Sequence, residues 1–347
     1  MTLKALARTS VDSTDDQHRG LRLLEDSAAR ERPSAVAAGS PRHELASRDR
    51  RKGAIMFRAS TVFVAMVLGA TPQVPSHAAQ GNEPASHAPD LTFPRSASEL
   101  SFFSQLTMGI WKPPGDGPFP AVILVHSCAG LTKQGLAFWR KEAIKRGYVT
   151  FVVDSFSSRG SPNCQPMPPA SSARGVKDLL QAVEHLKSFP FIDKSRIGMI
   201  GTSWGAMVGL LAASPAFVER SLPGGSVGAI VGLYPPCRSH STGFEFVRPD
   251  LTAPTLVLMG GRDNETPGDE CVSGLQTLKE RNAPVEWHVF PTATHCWDCS
   301  DQHGQRWSPP WAGGRDVHYQ YDGKITSESA ERAFDFLSRH LKSGAQK

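Results

Sequence analysis

The chain has 347 residues, which is enough to bury the core of one large domain or of two small ones. Its 39% hydrophobic and 20% charged residues exclude a disordered chain and an integral membrane protein. The formal charge of +5 is unevenly distributed: residues 1–58 contain 12 Lys and Arg and 8 Asp and Glu, and the remaining residues contain 26 Lys and Arg and 25 Asp and Glu. Because the rest of the chain is nearly neutral, the charge does not indicate a nucleic-acid partner.

The first 78 residues are predicted to precede the folded protein. Residues 1–55 are rich in Arg, Ser and Ala, have no sustained apolar face, and are predicted to form a disordered leader. A positive start at Met56, an apolar run reaching residue 70 and a small-residue site ending at Ala78 are typical of a secretory signal peptide, assigned to residues 56–78. Because such a signal begins a chain, we infer that translation starts at Met56 and that 1–55 is a misassigned extension.

The export signal predicts a periplasmic or secreted protein. A membrane anchor is the alternative, but the apolar run is shorter than the ~20 residues that span a bilayer, so no stable membrane insertion is expected. Arg50 and Arg51 would fit a twin-arginine signal, although the residues after them match that pattern poorly.

Export also permits disulfides, and the six cysteines all follow the signal: Cys128, Cys164, Cys237, Cys271, Cys296 and Cys299. We predict structural disulfides, with Cys296 or Cys299 bonded to Cys271 across neighbouring loops. The Cys-x-x-Cys spacing of Cys296 and Cys299 also suggests redox or zinc chemistry. No second pair stands at zinc spacing, so we predict no metal and no cofactor.

Strands and helices alternate through the rest of the chain. Residues 79–98 are rich in Pro, Ser and Ala and are predicted to be a linker, followed by one domain over 99–347. Apolar runs predict strands at 106–111, 121–125, 148–153, 197–200, 227–234, 255–259 and 285–290, and the intervening patterns predict helices at 134–146, 176–186, 268–281 and 327–341, with another after residue 205. This order predicts an α/β fold with a mainly parallel sheet covered by helices on both faces.

The pentapeptide Gly201-Thr202-Ser203-Trp204-Gly205 lies between a strand and a helix. Its glycines allow the two elements to approach closely, so that the Ser203 hydroxyl is exposed on a strained turn. The Trp204 N–H at the helix N-terminus is placed to donate to a developing oxyanion. This context predicts a nucleophilic serine rather than a serine in a packing turn.

A serine nucleophile needs a base and a carboxylate that orients the base. Asp263 and His295 each follow a later strand, and the chain order of serine, aspartate and histidine fits that requirement. Glu265 and Asp298 are alternatives to Asp263. Five other histidines are alternatives for the base, but none of them follows the final strand as directly as His295 does: His126, His240, His288, His303 and His318.

The second oxyanion donor is expected in the loop after the first buried strand. The Cys128 N–H is the first choice and Ser127 the next. Cys128 also has the chemistry of a nucleophile, but its loop lacks the strand–turn–helix pattern, so its side chain is expected only to line the site.

Five segments together resemble the dienelactone hydrolase family of α/β-hydrolases: Ala121–Leu131, Val153–Gly160, Gly201–Gly205, Gly260–Pro267 and Pro291–His295. The resemblance covers about residues 100–342 and implies a Ser203–Asp263–His295 triad with Cys128 and Trp204 as backbone donors. The enzyme that names the family uses a cysteine nucleophile, so the serine here favours a broader ester hydrolase.

We therefore expect a hydrolase of small-molecule esters or lactones. Arg159, in the second resembling segment, either pairs with a substrate carboxylate or braces the Pro-rich loop. A peptidase-like amide hydrolase and a non-catalytic binding protein of the same fold are the alternatives. Trp307 and Trp311 either pack or form a rim of the pocket.

Overall fold

The predicted alternation of strands and helices is present in the computed structural model, which describes residues 89–99, 107–132, 135–165, 168, 170–309, 312 and 314–341. All of them belong to one compact unit. Eight strands form the main sheet: β1 (Ala97–Glu99), β2 (Gly109–Lys112), β3 (Phe119–Val125), β4 (Val149–Val153), β5 (Ile192–Thr202), β6 (Ile230–Leu233), β7 (Thr255–Gly260) and β8 (Val285–Phe290).

The sheet has the strand order β1-β2-β4-β3-β5-β6-β7-β8. Strands β3 to β8 pair in parallel, whereas β2 is antiparallel to β4, which confirms the mainly parallel sheet. Because parallel strands end at the same edge, the loops after β3, β5, β7 and β8 are gathered at one side of the domain.

The described part of the chain forms six α-helices, and helices cover both faces of this sheet: α1 (Gly135–Lys145), α2 (Ser172–Lys187), α3 (Trp204–Ala212), α4 (Pro215–Ser221), α5 (Asp269–Glu280) and α6 (Gly323–His340). Along β3, Ile123 and Val125 belong to the core cluster that also includes residues of α2, α3 and α5, whereas Val122 and Leu124 belong to the cluster that includes residues of α1 and α6. This period of two is the reason that the strand is apolar throughout. Among the described residues, no helix has the length and apolarity to cross a membrane.

Several boundaries differ from the predicted ones. Helix α6 begins at Gly323 rather than at 327, because the Asp322 carboxylate caps it by accepting from the Lys324 and Ile325 N–H groups at 3.0 Å each. Helix α4 and a small hairpin of β9 (Arg306–Trp307) and β10 (Val317–His318) were not predicted. Their segments are short and lack a clear apolar period.

The folded domain begins before residue 99. Leu91 is buried and Phe93 packs against the core, while the Asp90 carboxylate pairs with Arg174 at 2.6 Å and Lys177 at 3.0 Å. Residues 89–98 are therefore part of the domain rather than linker. The leader and signal peptide predicted over 1–78 lie outside the described residues, as do residues 79–88 of the linker.

Three disulfides use all six cysteines: Cys128–Cys164, Cys237–Cys271 and Cys296–Cys299. The predicted bond from Cys271 to Cys296 or Cys299 is wrong. Cys271 lies on α5, with its Cα 5.1 Å from that of Cys237 in the loop after β6. Cys296 and Cys299 are instead drawn together by a turn in which the Cys299 N–H donates to the Cys296 carbonyl at 3.0 Å.

Candidate active site

Ser203 lies on a tight turn between β5 and α3. Its φ of 48° and ψ of −109° are strained for a residue with a side chain, and its N–H donates to the Leu233 carbonyl of β6 at 2.9 Å. A Cβ on Gly201 would lie 2.3 Å from the Gly205 oxygen, and a Cβ on Gly205 would lie 2.3 Å from the Val125 oxygen. Both glycines are therefore required for the strand and helix to pack this closely.

The structure brings the three predicted side chains together at one edge of the sheet. Asp263 follows β7 and His295 follows β8. The distance from His295 Nε2 to Ser203 Oγ is 3.1 Å, and that from His295 Nδ1 to Asp263 Oδ2 is 2.8 Å. The side chains of His295 and Asp263 are 3% and 0% exposed, so this hydrogen-bonded chain is shielded from bulk water.

The Asp263 carboxylate is fixed by its own loop. Its Oδ1 accepts from the backbone N–H groups of Glu265 and Thr266, each at 2.9 Å. Its Oδ2 accepts from the Thr266 hydroxyl at 3.0 Å in addition to facing His295. Sequence reasoning missed Thr266, although a threonine three residues after an aspartate in a loop is a known local pattern.

The protonation of His295 is set by opposing influences. Burial alone would lower its pKa, but the nearby carboxylates of Asp263 and Glu265 outweigh burial and raise the pKa to about 9. Asp263 also accepts a hydrogen bond from the imidazole, which favours the charged form. The site therefore stabilises an imidazolium, the form that His295 would take after removing a proton from Ser203.

Of the predicted oxyanion donors, Cys128 lines the pocket of Ser203, and Trp204 directly follows Ser203 in the chain. Trp204 is the first residue of α3, so its N–H points out of the helix N-terminus. Cys128 and Ser127 lie in the turn after β3 and line the pocket. Among the described residues, neither the Cys128 N–H nor the Trp204 N–H donates to a protein oxygen, so both can donate to a ligand. The Cys128 sulfur is bonded to Cys164, which excludes it as a nucleophile.

His126, which the sequence offered as an alternative base, does not face Ser203 but is hydrogen-bonded to the backbone of two neighbouring loops. It is fully buried, its Nδ1–H donates to the Ser127 carbonyl at 2.8 Å, and its Nε2 accepts from the Ser155 N–H at 3.1 Å. Burial lowers its pKa, which keeps the ring neutral, and the ring stacks on Trp204 with centroids 5.5 Å apart. His126 therefore holds the turn that carries Ser127 and Cys128 against the helix that follows Ser203.

Arg159 braces the fold, which was one of the two roles left open by the sequence. Its guanidinium donates to both Asp178 carboxylate oxygens, at 2.6 and 2.9 Å, and to the carbonyls of Ser155 and Pro89. Its side chain is 2% exposed and does not border the pocket of Ser203. A second cation, Arg174, approaches the same Asp178 at 3.1 Å. The predicted contact of Arg159 with a substrate carboxylate is therefore replaced by a buried structural ion pair.

Asp298, a rival to Asp263, is buried and accepts hydrogen bonds from Trp139 Nε1 and Tyr234 OH, both at 2.7 Å. Burial raises the pKa of Asp298. One carboxylate oxygen of Asp298 and the sulfurs of Cys296 and Cys299 lie within 4.8 Å of one another, close enough to be considered as a metal site. Because those two sulfurs are bonded to each other, the cluster offers no thiolate to a metal.

A pocket of about 190 Å³ opens over Ser203 and His295. Its lining includes the Cys128–Cys164 disulfide and, from the β9–β10 region, Trp307 and Tyr319. Trp307 thus borders the site, whereas Trp311 lies outside the described residues. The volume is below the ~300 Å³ of typical drug-sized sites, so the pocket suits a small group.

Comparisons with known proteins identify the family of this chain. The sequence profile of the dienelactone hydrolase family matches residues 108–341. An Escherichia coli K12 protein named "Putative carboxymethylenebutenolidase" is 26% identical over 222 residues, which cover 60% of this chain and 80% of that protein. A Yersinia pestis protein of the same name is 23% identical over 268 residues, covering 73% of this chain and 89% of that protein.

The fold also matches solved structures. A butyrate-bound thermophilic esterase of Thermogutta terrifontis superposes with a TM-score of 0.50 at 15% identity, covering 69% of this chain and 91% of the esterase. This likeness concerns the fold alone, whereas the family profile spans the segments that carry Ser203, Asp263 and His295. The chain belongs to the dienelactone hydrolase family and is a carboxylic ester hydrolase with the α/β-hydrolase fold.

Proposed function

We propose that the protein hydrolyses small carboxylic esters or lactones by a serine acyl-enzyme mechanism. Ser203 is the nucleophile, His295 the general base and Asp263 the group that orients the imidazole. The observation that carries this proposal is the continuous hydrogen-bonded chain from the Ser203 hydroxyl through both imidazole nitrogens to a buried carboxylate.

In the first step, Ser203 Oγ attacks the ester carbonyl while His295 Nε2 accepts the hydroxyl proton. The carbonyl oxygen becomes an oxyanion, and the N–H groups of Cys128 and Trp204 are the donors proposed to stabilise it. The imidazolium then gives its proton to the departing alcohol oxygen, which leaves an acyl group on Ser203. A water molecule, deprotonated by His295, releases the acid and restores the serine.

The tight turn that carries Ser203 supports the role of this residue independently of its contacts with His295 and Asp263. Its strained backbone places the hydroxyl against the pocket rather than in the sheet, and strain of this kind is concentrated at functional sites. The raised pKa of His295 supports the base role, because the same carboxylates stabilise the positive charge that develops in both steps.

The proposal is tested with matched p-nitrophenyl esters and p-nitroanilides of acetate and butyrate. Wild-type protein should hydrolyse the esters, and Ser203→Ala should lower kcat by at least 10³-fold while keeping the thermal unfolding midpoint. Ser327→Ala, an exposed serine on α6, is the control and should behave as wild type. Faster cleavage of the anilides would favour the peptidase alternative, and no cleavage of either would favour the non-catalytic one.

We also propose that the protein is exported to the periplasm or secreted. Support comes from the signal-like segment ending at Ala78 and from the pairing of all six cysteines, since disulfides persist in oxidising compartments. Mass spectrometry of the protein from its native cells should give a mature N-terminus at residue 79. A product that begins near Met1 would contradict both the export signal and the start at Met56.

A further inference from the structure

The turn that carries the proposed oxyanion donor, the Cys128 N–H, is only partly covered by the protein. Ser127 and Cys128 are half-buried and Ala129 is exposed. Within the turn, the Gly130 N–H donates to the Ser127 carbonyl at 3.0 Å, and the Ala129 N–H donates to the Ser127 hydroxyl at 3.2 Å. These bonds shape the turn, but they do not attach Cys128 to the rest of the domain.

The peptide unit that contains the Cys128 N–H is held at its oxygen. This oxygen is the Ser127 carbonyl, which accepts from His126 Nδ1 at 2.8 Å as well as from the Gly130 N–H. Because a trans peptide unit is planar, holding the oxygen restricts the direction of the N–H, which points the opposite way in the same plane. The plane can still tilt about its oxygen, so a second fixed point is needed at Cys128 itself.

Cys164 supplies this second point through two contacts. The two cysteines form a disulfide with their Cα atoms 5.0 Å apart, and the Cys164 N–H donates to the Cys128 carbonyl at 2.9 Å. The disulfide holds the side chain of Cys128 and the hydrogen bond holds its carbonyl, so together they fix the Cα to which the donor nitrogen is bonded. Both cysteines line the pocket of Ser203, and Cys164 is buried.

The segment that carries Cys164 is itself anchored to the domain. Earlier in the same segment, the Arg159 guanidinium donates to both carboxylate oxygens of the buried Asp178 on α2. The segment then packs directly on the turn after β3, because a Cβ on Gly130 would lie 1.8 Å from the Pro162 carbonyl oxygen. The position of Cys164 is therefore set by the body of the domain as well as by its disulfide.

The position of a backbone donor matters for the proposed reaction. An oxyanion is stabilised by donors that are already in place when the charge develops, and loss of one such donor in a serine protease lowers kcat by about 10²–10³-fold. A donor that is displaced rather than lost forfeits part of this effect. Side chains cannot supply or remove a backbone N–H, but their contacts can decide where it lies.

We propose that Cys164 is a positioning residue, which through its disulfide holds the Cys128 N–H at the place where the oxyanion forms. This inference rests on the proposed function, since it concerns charge on the substrate carbonyl. It makes activity depend on oxidation of the pair. A dithiol that reduces the disulfide transfers two electrons and two protons to the two sulfurs, which breaks the S–S bond, and is itself oxidised to a disulfide.

A general contribution to stability is the competing explanation, and a second disulfide provides a matched control for it. Cys128 and Cys164 are 36 positions apart and Cys237 and Cys271 are 34 apart, so removal of either bond should lower the thermal unfolding midpoint by a similar amount. Among the described residues, neither Cys237 nor Cys271 lines the pocket. The test therefore compares Cys128→Ser/Cys164→Ser with Cys237→Ser/Cys271→Ser.

Kinetics and inhibition separate positioning from stability. In Cys128→Ser/Cys164→Ser we expect kcat/KM for p-nitrophenyl acetate to fall about 10- to 100-fold, whereas in Cys237→Ser/Cys271→Ser it should stay within threefold of wild type. The Ki of a trifluoromethyl ketone, which becomes a tetrahedral oxyanion on Ser203, should rise in parallel with the loss of kcat/KM. The Ki of the matching methyl ketone, which stays a carbonyl, should change less than threefold.

Reduction of the wild-type protein gives an independent test. Below the unfolding midpoint, loss of activity in dithiothreitol should follow the alkylation of Cys128 and Cys164 in peptide maps, and activity should return on reoxidation. In Cys128→Ser/Cys164→Ser, which has no such bond to lose, dithiothreitol should cause no further loss.

Each outcome decides one claim. Activity of folded Cys128→Ser/Cys164→Ser within threefold of wild type, or equal losses in both double variants, would overturn the proposal. If this variant does not fold, the reduced wild-type protein decides, and unfolding of both would show a general structural role and contradict the proposal. If wild-type protein hydrolyses no ester, the proposed function fails. If it hydrolyses esters whether or not Cys128 and Cys164 are bonded, only this inference fails.

Discussion

Replacing Asp263 with asparagine tests how the imidazole of His295 is held. Oδ1 accepts from two backbone N–H groups, so the carbonyl oxygen of the asparagine must take that position. The amide NH₂ then stands in place of Oδ2, which lies 2.8 Å from His295 Nδ1. Because NH₂ can only donate, Nδ1 must accept, and the ring proton moves to Nε2.

This tautomer is wrong for catalysis. Nε2 faces Ser203 Oγ at 3.1 Å, and once Nε2 carries a proton it cannot accept the one from the serine. The corresponding change in a serine protease lowers kcat by about 10⁴-fold, and we expect a similar loss here, equivalent to ~5.5 kcal/mol in the activation free energy. The variant also loses a carboxylate that raises the pKa of His295, so the acid limb of its residual activity should move to lower pH.

The assay is kcat/KM for p-nitrophenyl acetate between pH 6 and 10, with the urea unfolding midpoint measured in parallel. Asp335→Asn, an exposed change on α6, is the matched control and should keep wild-type kinetics. An Asp263→Asn protein that folds normally and retains activity within tenfold of wild type would refute the tautomer argument and the role assigned to Asp263.

Three further predictions follow from the contacts. Wild-type kcat/KM should rise about tenfold per pH unit below the raised pKa of His295 and level off above about pH 9, since only the neutral imidazole accepts a proton; a plateau already reached at pH 7 would contradict this. Gly205→Ala should lower the thermal unfolding midpoint and kcat together, because its Cβ would lie 2.3 Å from a backbone oxygen, and a variant with wild-type Tm and kcat would show that the turn relaxes freely. Asp178→Asn should cost about 3–5 kcal/mol in the free energy of unfolding measured with urea, because it leaves the buried Arg159 without its partner; an unchanged free energy would show that this pair is not structural.

The features that the sequence predicted depend on short local patterns. The strand–turn–helix around Ser203 follows from five consecutive residues, and the positions of Asp263 and His295 follow from apolar runs that end just before them. In a parallel sheet, these strand ends must share one edge. The convergence of the three side chains was therefore predictable without any knowledge of side-chain packing.

The features that the sequence did not predict depend on contacts between distant segments. Arg159 and Asp178 meet because α2 packs beside the loop after β4, and nothing near Arg159 in the sequence marks a buried carboxylate as its partner. The hydrogen bond from the Tyr319 hydroxyl to the Glu265 carboxylate joins residues that are 54 positions apart in the sequence. The pairing of the cysteines likewise depends on which loops lie next to one another in the fold. The spacing of the cysteines along the chain does not determine that.

The central claim is that the Ser203 hydroxyl is activated by its hydrogen bond to His295. The most direct measurement is labelling with a fluorophosphonate, followed by peptide mapping by mass spectrometry. The account predicts one phosphonylated residue, Ser203, in wild-type protein, with labelling abolished in Ser203→Ala and strongly slowed in His295→Ala. Folded protein that hydrolyses esters but carries no label on Ser203, or carries it elsewhere, would contradict the account.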